Sequence, residues 1–201
     1  MTKSTWIGRA RELCACALLA LPLLASAAVP NHERIRALDT PRAIAEARLT
    51  NQNGDEVALS TLRGSVTFLL FGYTNCPDAC PTGMERLREL HESGAIARDV
   101  KVNYVMISVD GDRDTPAVLK AFLAKYSADF IGFTASPSTV KPIAAQLSAS
   151  FFAGAHDHAG HYTVAHSPQI FIVDPAGNVR AEVYGASLEA MADVARALSA
   201  E

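Results

Sequence analysis

The sequence has little of what would assign it to a specialised class. It lacks an excess of charge of one sign: 18 Lys and Arg face 21 Asp and Glu over 201 residues. Without a basic field, DNA and RNA are excluded as partners. Glycine and proline, 12 and 10 residues, are too few for a collagen-like chain, and no internal repeat or low-complexity tract is visible. With 49% of its residues hydrophobic, the chain is not disordered, and its length suits one well-filled core. Cysteine is scarce, with four in all, so their placement carries the information.

Two of the four, Cys14 and Cys16, stand at the front of an apolar stretch that follows a basic start. Residues 13–28 are apolar and small, and Ala25-Ser26-Ala27 has the form accepted by signal peptidase. The apolar run from Leu13 to Val29 is 17 residues long with Pro22 inside it, at the lower bound for spanning a bilayer. Residues 1–27 therefore read as a signal peptide cleaved near Ala27, with an uncleaved membrane anchor as the alternative. Export is therefore expected. Lys3, Arg9 and Arg11 against Glu12 give this segment +2, leaving -5 on the other 174 residues. Cleavage would leave Cys76 and Cys80 as the only thiols, in a compartment that oxidises them. Residues 28–42, polar with Pro30 and Pro41, read as a linker, and 43–201 as the domain.

Within the domain, Ala43 to Leu49 and Glu56 to Leu59 flank an Asn-Gly-Asp turn, predicting a leading hairpin. Val66 to Gly72 is an uninterrupted apolar run too short for a helix, as expected of a central strand covered on both faces. Val102–Val109, Phe130–Thr134, Gln169–Asp174 and Val179–Tyr184 are further strand candidates. Helix starts are marked by a Thr82–Glu85 capping box, by Thr115-Pro116 and Ser136-Pro137, and by Ser187. Strand and helix alternate until a closing hairpin and helix. The order predicts an α/β thioredoxin-like sandwich with a leading β-hairpin and an inserted loop or hairpin, Phe151 to Ala165, before the penultimate strand.

The chemistry gathers where the central strand ends. Cys76-Pro77-Asp78-Ala79-Cys80-Pro81 runs from that strand into a helix, so both sulfurs sit near unpaired helical N–H groups and their pKa values are expected to fall. Three intervening residues, against the usual two of a dithiol oxidoreductase, widen the loop and let both sulfurs converge on one ion. Two soft thiolates suit Cu(I), with Zn(II) as competitor and a structural disulfide as the inert alternative. For a third donor, His166 stands just before the strand expected to face the cysteine loop. His156, His158 and His161 fall in a glycine-containing stretch and read as a polar loop, with metal capture as the lesser reading. His91 and His32 read as bystanders. Asp110-Gly111-Asp112-Arg113-Asp114 lacks the ligand order of a calcium loop and reads as an ion-paired, helix-capping loop.

These motifs resemble the Sco/SenC family of thioredoxin-fold copper proteins. The resemblance runs from about Leu49 to Leu198. It rests on the Asn-Gly hairpin, Phe71-Gly72-Tyr73-Thr74 with the Cys76–Cys80 motif, Ile107-Ser108-Val109-Asp110 with Arg113-Asp114-Thr115-Pro116, and Tyr162-Thr163-Val164-Ala165-His166-Ser167. It implies one copper ion, as Cu(I), Cu(II) or both, held by Cys76, Cys80 and His166. It further implies delivery of copper to the binuclear centre of cytochrome c oxidase, through that enzyme's copper-accepting subunit, with a thiol reductant or another copper chaperone as further partners. The location it implies is the periplasm or the periplasmic face of the inner membrane. The competing expectation is a periplasmic thiol-disulfide oxidoreductase in which Cys76 and Cys80 are catalytic. The chain departs from the family at Asn75, at Gly111, and at Ala165, where an aspartate that could orient the imidazole is common. Pro168 resembles the cis-proline that faces the cysteines in thioredoxins.

Overall fold

In the computed structural model, which describes residues 28–155 and 162–200, the apolar run Val66–Gly72 forms strand β4, and all seven of its residues are buried. Strand periodicity divides its side chains between two cores. Val66, Phe68 and Leu70 join Met84, Leu87, Leu119 and Met191 on one face of the sheet. Leu69 and Phe71 join Val140 and Ile143 on the other. The signal-peptide reading and the readings of His156, His158 and His161 lie outside the described residues. No helix among the described residues is long and apolar enough to cross a membrane.

Around β4 are β1 (Ile35–Ala43), β2 (Arg48–Asn51), β3 (Glu56–Ala58), β5 (Val102–Ser108), β6 (Ile131–Thr134), β9 (Ile170–Val173) and β10 (Asn178–Val183). They form one eight-stranded sheet in the order β1-β10-β9-β4-β5-β6-β2-β3. Helices α1 (Ala79–Ser93), α2 (Pro116–Leu123) and α4 (Leu188–Ser199) send buried residues into the first core, and α3 (Pro137–Gln146) into the second. A separate two-stranded sheet, β7 (Phe151–Ala153) and β8 (Val164–His166), is inserted before β9. The leading hairpin and the insertion are thus both present in the expected α/β sandwich.

Strand direction brings the chemistry to one end. β4 runs parallel to β5, with Gly72 opposite Ser108, so the cysteine segment and the Asp110 loop leave the sheet together. β9 runs antiparallel to β4, so the residues that enter it, His166 to Gln169, arrive at that same end. Sites in open α/β sheets form at such carboxyl ends.

Two expectations are corrected. Residues 35–43 are not linker but edge strand β1, paired antiparallel to β10 from Ile35 opposite Val183 to Ala43 opposite Asn178. The segment reads as polar because it is an edge strand, mostly exposed. Its anchors are Ile35, which is buried in the first core, and Arg36, which bonds the buried Glu182 at 2.5 Å. The domain therefore begins before residue 43. Thr82 does not cap α1 but lies inside it. The helix starts at Ala79 after Asp78, with Pro81 tolerated in the first turn because its missing N–H would have had no helical partner. Glu85 pairs with Arg88 instead. Thr115, Ser136 and Ser187 cap their helices as expected, each accepting from the backbone N–H three residues on.

Candidate metal centre

Cys76 precedes α1 and Cys80 is its second residue, so the helix start lies between the two sulfurs. The Cys80 N–H, one of the donors a helix start leaves unpaired, donates to Cys76 Sγ at 3.4 Å. Both are free thiols, Cys76 9% exposed and Cys80 1%. Burial, followed by the adjacent Cys76 thiol, pushes the Cys80 thiol up, well above an ordinary cysteine. This overturns the expected fall for Cys80, whose Sγ is enclosed by the core.

His166 brings the third donor. Its Nε2 lies 3.5 Å from Cys76 Sγ and 3.1 Å from Cys80 Sγ. Its Nδ1 is 3.1 Å from the Ser167 carbonyl oxygen, which can only accept, so Nδ1 carries the hydrogen and Nε2 presents its lone pair to the sulfurs. A backbone carbonyl thus supplies the orienting partner that Ala165 cannot. Cys76, Cys80 and His166 have donor atoms all within 4.8 Å of one another, and they are the one such metal-capable group among the described residues. Two metal–sulfur bonds of ~2.3 Å and one metal–nitrogen bond of ~2.0 Å, set at 120°, separate S from N by about 3.7 Å. The observed spacings reach this by widening about 0.2 Å between His166 and Cys76 and about 0.6 Å between His166 and Cys80.

The supports are residues to which the sequence assigned no part in the site. Gly72 lets Cys80 approach β4, since a Cβ there would stand 2.8 Å from Cys80 Sγ. Tyr73 is buried, with its ring edge-on to His166, and its hydroxyl accepts from the Val164 N–H at 3.2 Å. Asp114, read above as part of a capping loop, is fully buried. It accepts from the Thr74 N–H at 3.0 Å, the Thr74 hydroxyl at 2.6 Å and the Ser108 hydroxyl at 2.6 Å. It therefore holds the segment leading to Cys76. Burial raises the Asp114 pKa above the ordinary aspartate value, against these hydrogen bonds. Gly72, Tyr73 and Asp114 all stand in the motifs that carry the family resemblance, but what each does depends on tertiary proximity.

The remaining candidates lie elsewhere. His91 faces Asp129 at 3.3 Å, and His32 faces Asp193 at 3.4 Å. Asp110 pairs with Arg113 at 2.5 Å, as an ion-paired loop should. Among the described residues no peptide bond is cis, Pro168 included, so its likeness to the thioredoxin cis-proline stops at position.

Comparison with known proteins points one way. A family model described as SCO1/SenC matches residues 36–199. A protein of Stutzerimonas stutzeri named for copper binding is 32% identical over 84% of this chain and 82% of its own length. The structure of Bradyrhizobium japonicum ScoI with copper bound is 32% identical, with a TM-score of 0.69 over 78% of this chain and 99% of that one. Arabidopsis thaliana ScoI with copper bound is 26% identical, with a TM-score of 0.71 over 79% of this chain and all of that one.

Proposed function

This chain belongs to the SCO1/SenC family, and from that premise we propose that it carries one copper ion on Cys76, Cys80 and His166 and passes it to the binuclear copper centre of cytochrome c oxidase. It does so as an exported protein, in the periplasm or on the periplasmic face of the inner membrane. The observation that carries the reading is the convergence of His166 Nε2 on both sulfurs, at 3.5 and 3.1 Å, from a separate sheet. A disulfide staple has no use for that imidazole.

Copper is the cargo, so capture must be matched by release. Capture takes both thiols as thiolates, each giving its proton to solvent, while His166 turns Nε2 toward both sulfurs. Two sulfurs and one nitrogen satisfy Cu(I), and the imidazole also accommodates Cu(II). Three donors leave the ion coordinatively open on its solvent side. A ligand from the acceptor subunit can bind there before the donor's ligands let go, which avoids free copper. The part-exposed His166 is the natural first ligand to leave and the buried Cys80 the last.

The same atoms favour a second reading because both thiols are free and within 4.8 Å. The more exposed Cys76 thiolate attacks a partner disulfide, expelling one partner thiolate. Cys80 then attacks the mixed disulfide, closing the Cys76–Cys80 bond and leaving the partner dithiol reduced by two electrons.

Copper titration of the anaerobically reduced protein separates these readings. The carrier binds one equivalent, loses it in Cys76→Ser with Cys80→Ser, and binds more weakly in His166→Ala. Unchanged stoichiometry in the double serine variant would overturn the assignment. A mixed disulfide trapped in Cys80→Ser would support exchange alongside carriage.

A further inference from the structure

His166 does not belong to the main sheet. It stands on the two-stranded β7–β8 unit, opposite Phe151, and something must hold that unit to the body if the imidazole is to meet the sulfurs. Val164 is tied to Tyr73 as described. Phe151 and Val164 are also buried in the second core, and a further, polar tie is Arg113. Its Nη1 donates to the Tyr162 carbonyl oxygen at 2.9 Å, and its guanidinium carbon lies 3.6 Å from the centroid of the Tyr162 ring. The Tyr162 hydroxyl donates to Asp110 Oδ1 at 2.6 Å, and Arg113 Nε donates to Asp110 Oδ2 at 2.5 Å. Arginine, aspartate and tyrosine therefore close a ring at the foot of β8.

The base of this ring is rigid. The Arg113 and Asp114 N–H groups both donate to the Asp110 carbonyl, at 3.0 and 2.9 Å. A Cβ on Gly111 would stand 1.9 Å from the Ala135 oxygen, so the loop lies flat against its neighbour. Asp114, the next residue, grips Thr74 and with it the cysteine segment. Adjacent residues of one loop thus hold opposite halves of the ligand set: Asp114 the thiols, Arg113 the imidazole.

We infer that the Arg113–Asp110–Tyr162 ring is a positioning device that sets how firmly His166 is presented to copper, and thereby how firmly the cargo is retained. The inference rests on the copper-carrier reading. Arg113 touches neither the ion nor its ligands. It acts by limiting the excursions of the strand that carries His166, as partners beyond the ligands do in metal sites generally. Lysine cannot replace it, because a point charge on a flexible stem does not stack flat on Tyr162 while donating to both the carbonyl and Asp110.

The test is a double-mutant cycle on Cu(I) affinity, measured by competition with a chromophoric chelator in reduced wild type, Arg113→Ala, His166→Ala and the double variant. Arg113→Ala weakens binding by about 10- to 100-fold, the range for groups that orient a ligand. Added to His166→Ala it changes nothing further, because its route runs through the imidazole. Arg113→Lys behaves like Arg113→Ala. Tyr162→Phe, which deletes one hydroxyl and keeps the fold if the arginine variants unfold, falls between them and wild type and is likewise silent in a His166→Ala background. Wild-type affinity in both Arg113→Ala and Tyr162→Phe, beside a weakened His166→Ala, overturns the ring alone. Equal additional loss in the His166→Ala background also overturns it, by revealing general destabilisation. Wild-type affinity in His166→Ala sinks the carrier ligand set, and the ring with it.

Discussion

Replacing Gly72 with alanine tests the site through its most crowded contact. The new methyl would stand 2.8 Å from Cys80 Sγ, 3.1 Å from Leu70 Cδ1 and 3.2 Å from Met106 Cε. Separations under 3.0 Å essentially never occur, and ordinary contact begins at 3.4 Å, so Cys80 Sγ must retreat by about 0.6 Å or β4 must bend. β4 is paired on both sides, which makes bending the costlier response. Overpacking of this kind costs about 1–3 kcal/mol, an amount a domain of this size survives. For the metal the consequence is larger. Ligand distances hold to about 0.2 Å in a good site, and the retreat is some three times that. Gly72→Ala should therefore remain folded, melt lower by a few degrees, keep both thiols titratable by a thiol reagent, and bind Cu(I) at least about 10-fold more weakly. Chelator competition and a thermal melt on the same sample give both numbers. A variant with the expected drop in melting temperature but wild-type copper affinity would refute the reasoning, since Cys80 Sγ would then not be a constrained ligand.

Three further outcomes are expected. Asp114→Ala removes the acceptor of three hydrogen bonds from buried surroundings and should lower unfolding free energy by about 2–4 kcal/mol in denaturant titration, whereas Asp114→Asn, which keeps an acceptor, should lose less. Copper affinity should rise with pH through the neutral range, because burial holds the metal-free Cys80 thiol protonated and binding must expel that proton; a pH-independent affinity between pH 6 and pH 8 (about a hundredfold span in proton activity) would contradict thiolate ligation by Cys80. For Glu182, burial acts upward on the pKa, but the hydrogen bonds from Arg36 and Tyr184 prevail and hold it below the usual glutamate value. A depressed carboxyl pKa contributes stability at pH values above that of the unfolded chain and loses it as pH falls through the folded value. Arg36→Ala should therefore flatten the acid limb of a melting-temperature profile, and should do so only if β1 is part of the fold.

What could be read from sequence was what depends on local pattern. The apolar run Val66–Gly72 announced a strand buried on both faces, and Thr115-Pro116 and Ser136-Pro137 marked helix starts, because in each the deciding interactions lie within a few residues. His166 was legible for a topological reason: a segment entering the strand beside β4 must arrive at the end where the cysteine segment departs. Where the deciding partner is distant, the reading failed. β1 looked like linker because the pairing that makes it a strand is with residues 178–183. Thr82 and Glu85 satisfied a capping pattern, yet Asp78 already precedes the helix. The expected fall in thiol pKa considered the helix start but not the enclosure of Cys80. Ala165 suggested an unoriented imidazole, whereas the orienting group is the Ser167 carbonyl, a partner no side-chain motif reveals. Asp114, Tyr73, Arg113 and Tyr162 were present in the motifs, but their joint purpose exists only when the Asp110 loop, the cysteine segment and β8 are seen together.

Copper carriage by this protein requires one ion to share two sulfurs and an imidazole nitrogen. X-ray absorption spectroscopy at the copper edge, on the reduced protein loaded with one equivalent and on His166→Ala, measures that donor set directly. The expected spectrum fits two sulfur scatterers and one nitrogen with the outer-shell signature of an imidazole, and the imidazole signature disappears in His166→Ala. A first shell of sulfur alone in wild type, or one that His166→Ala leaves unchanged, would contradict the central claim.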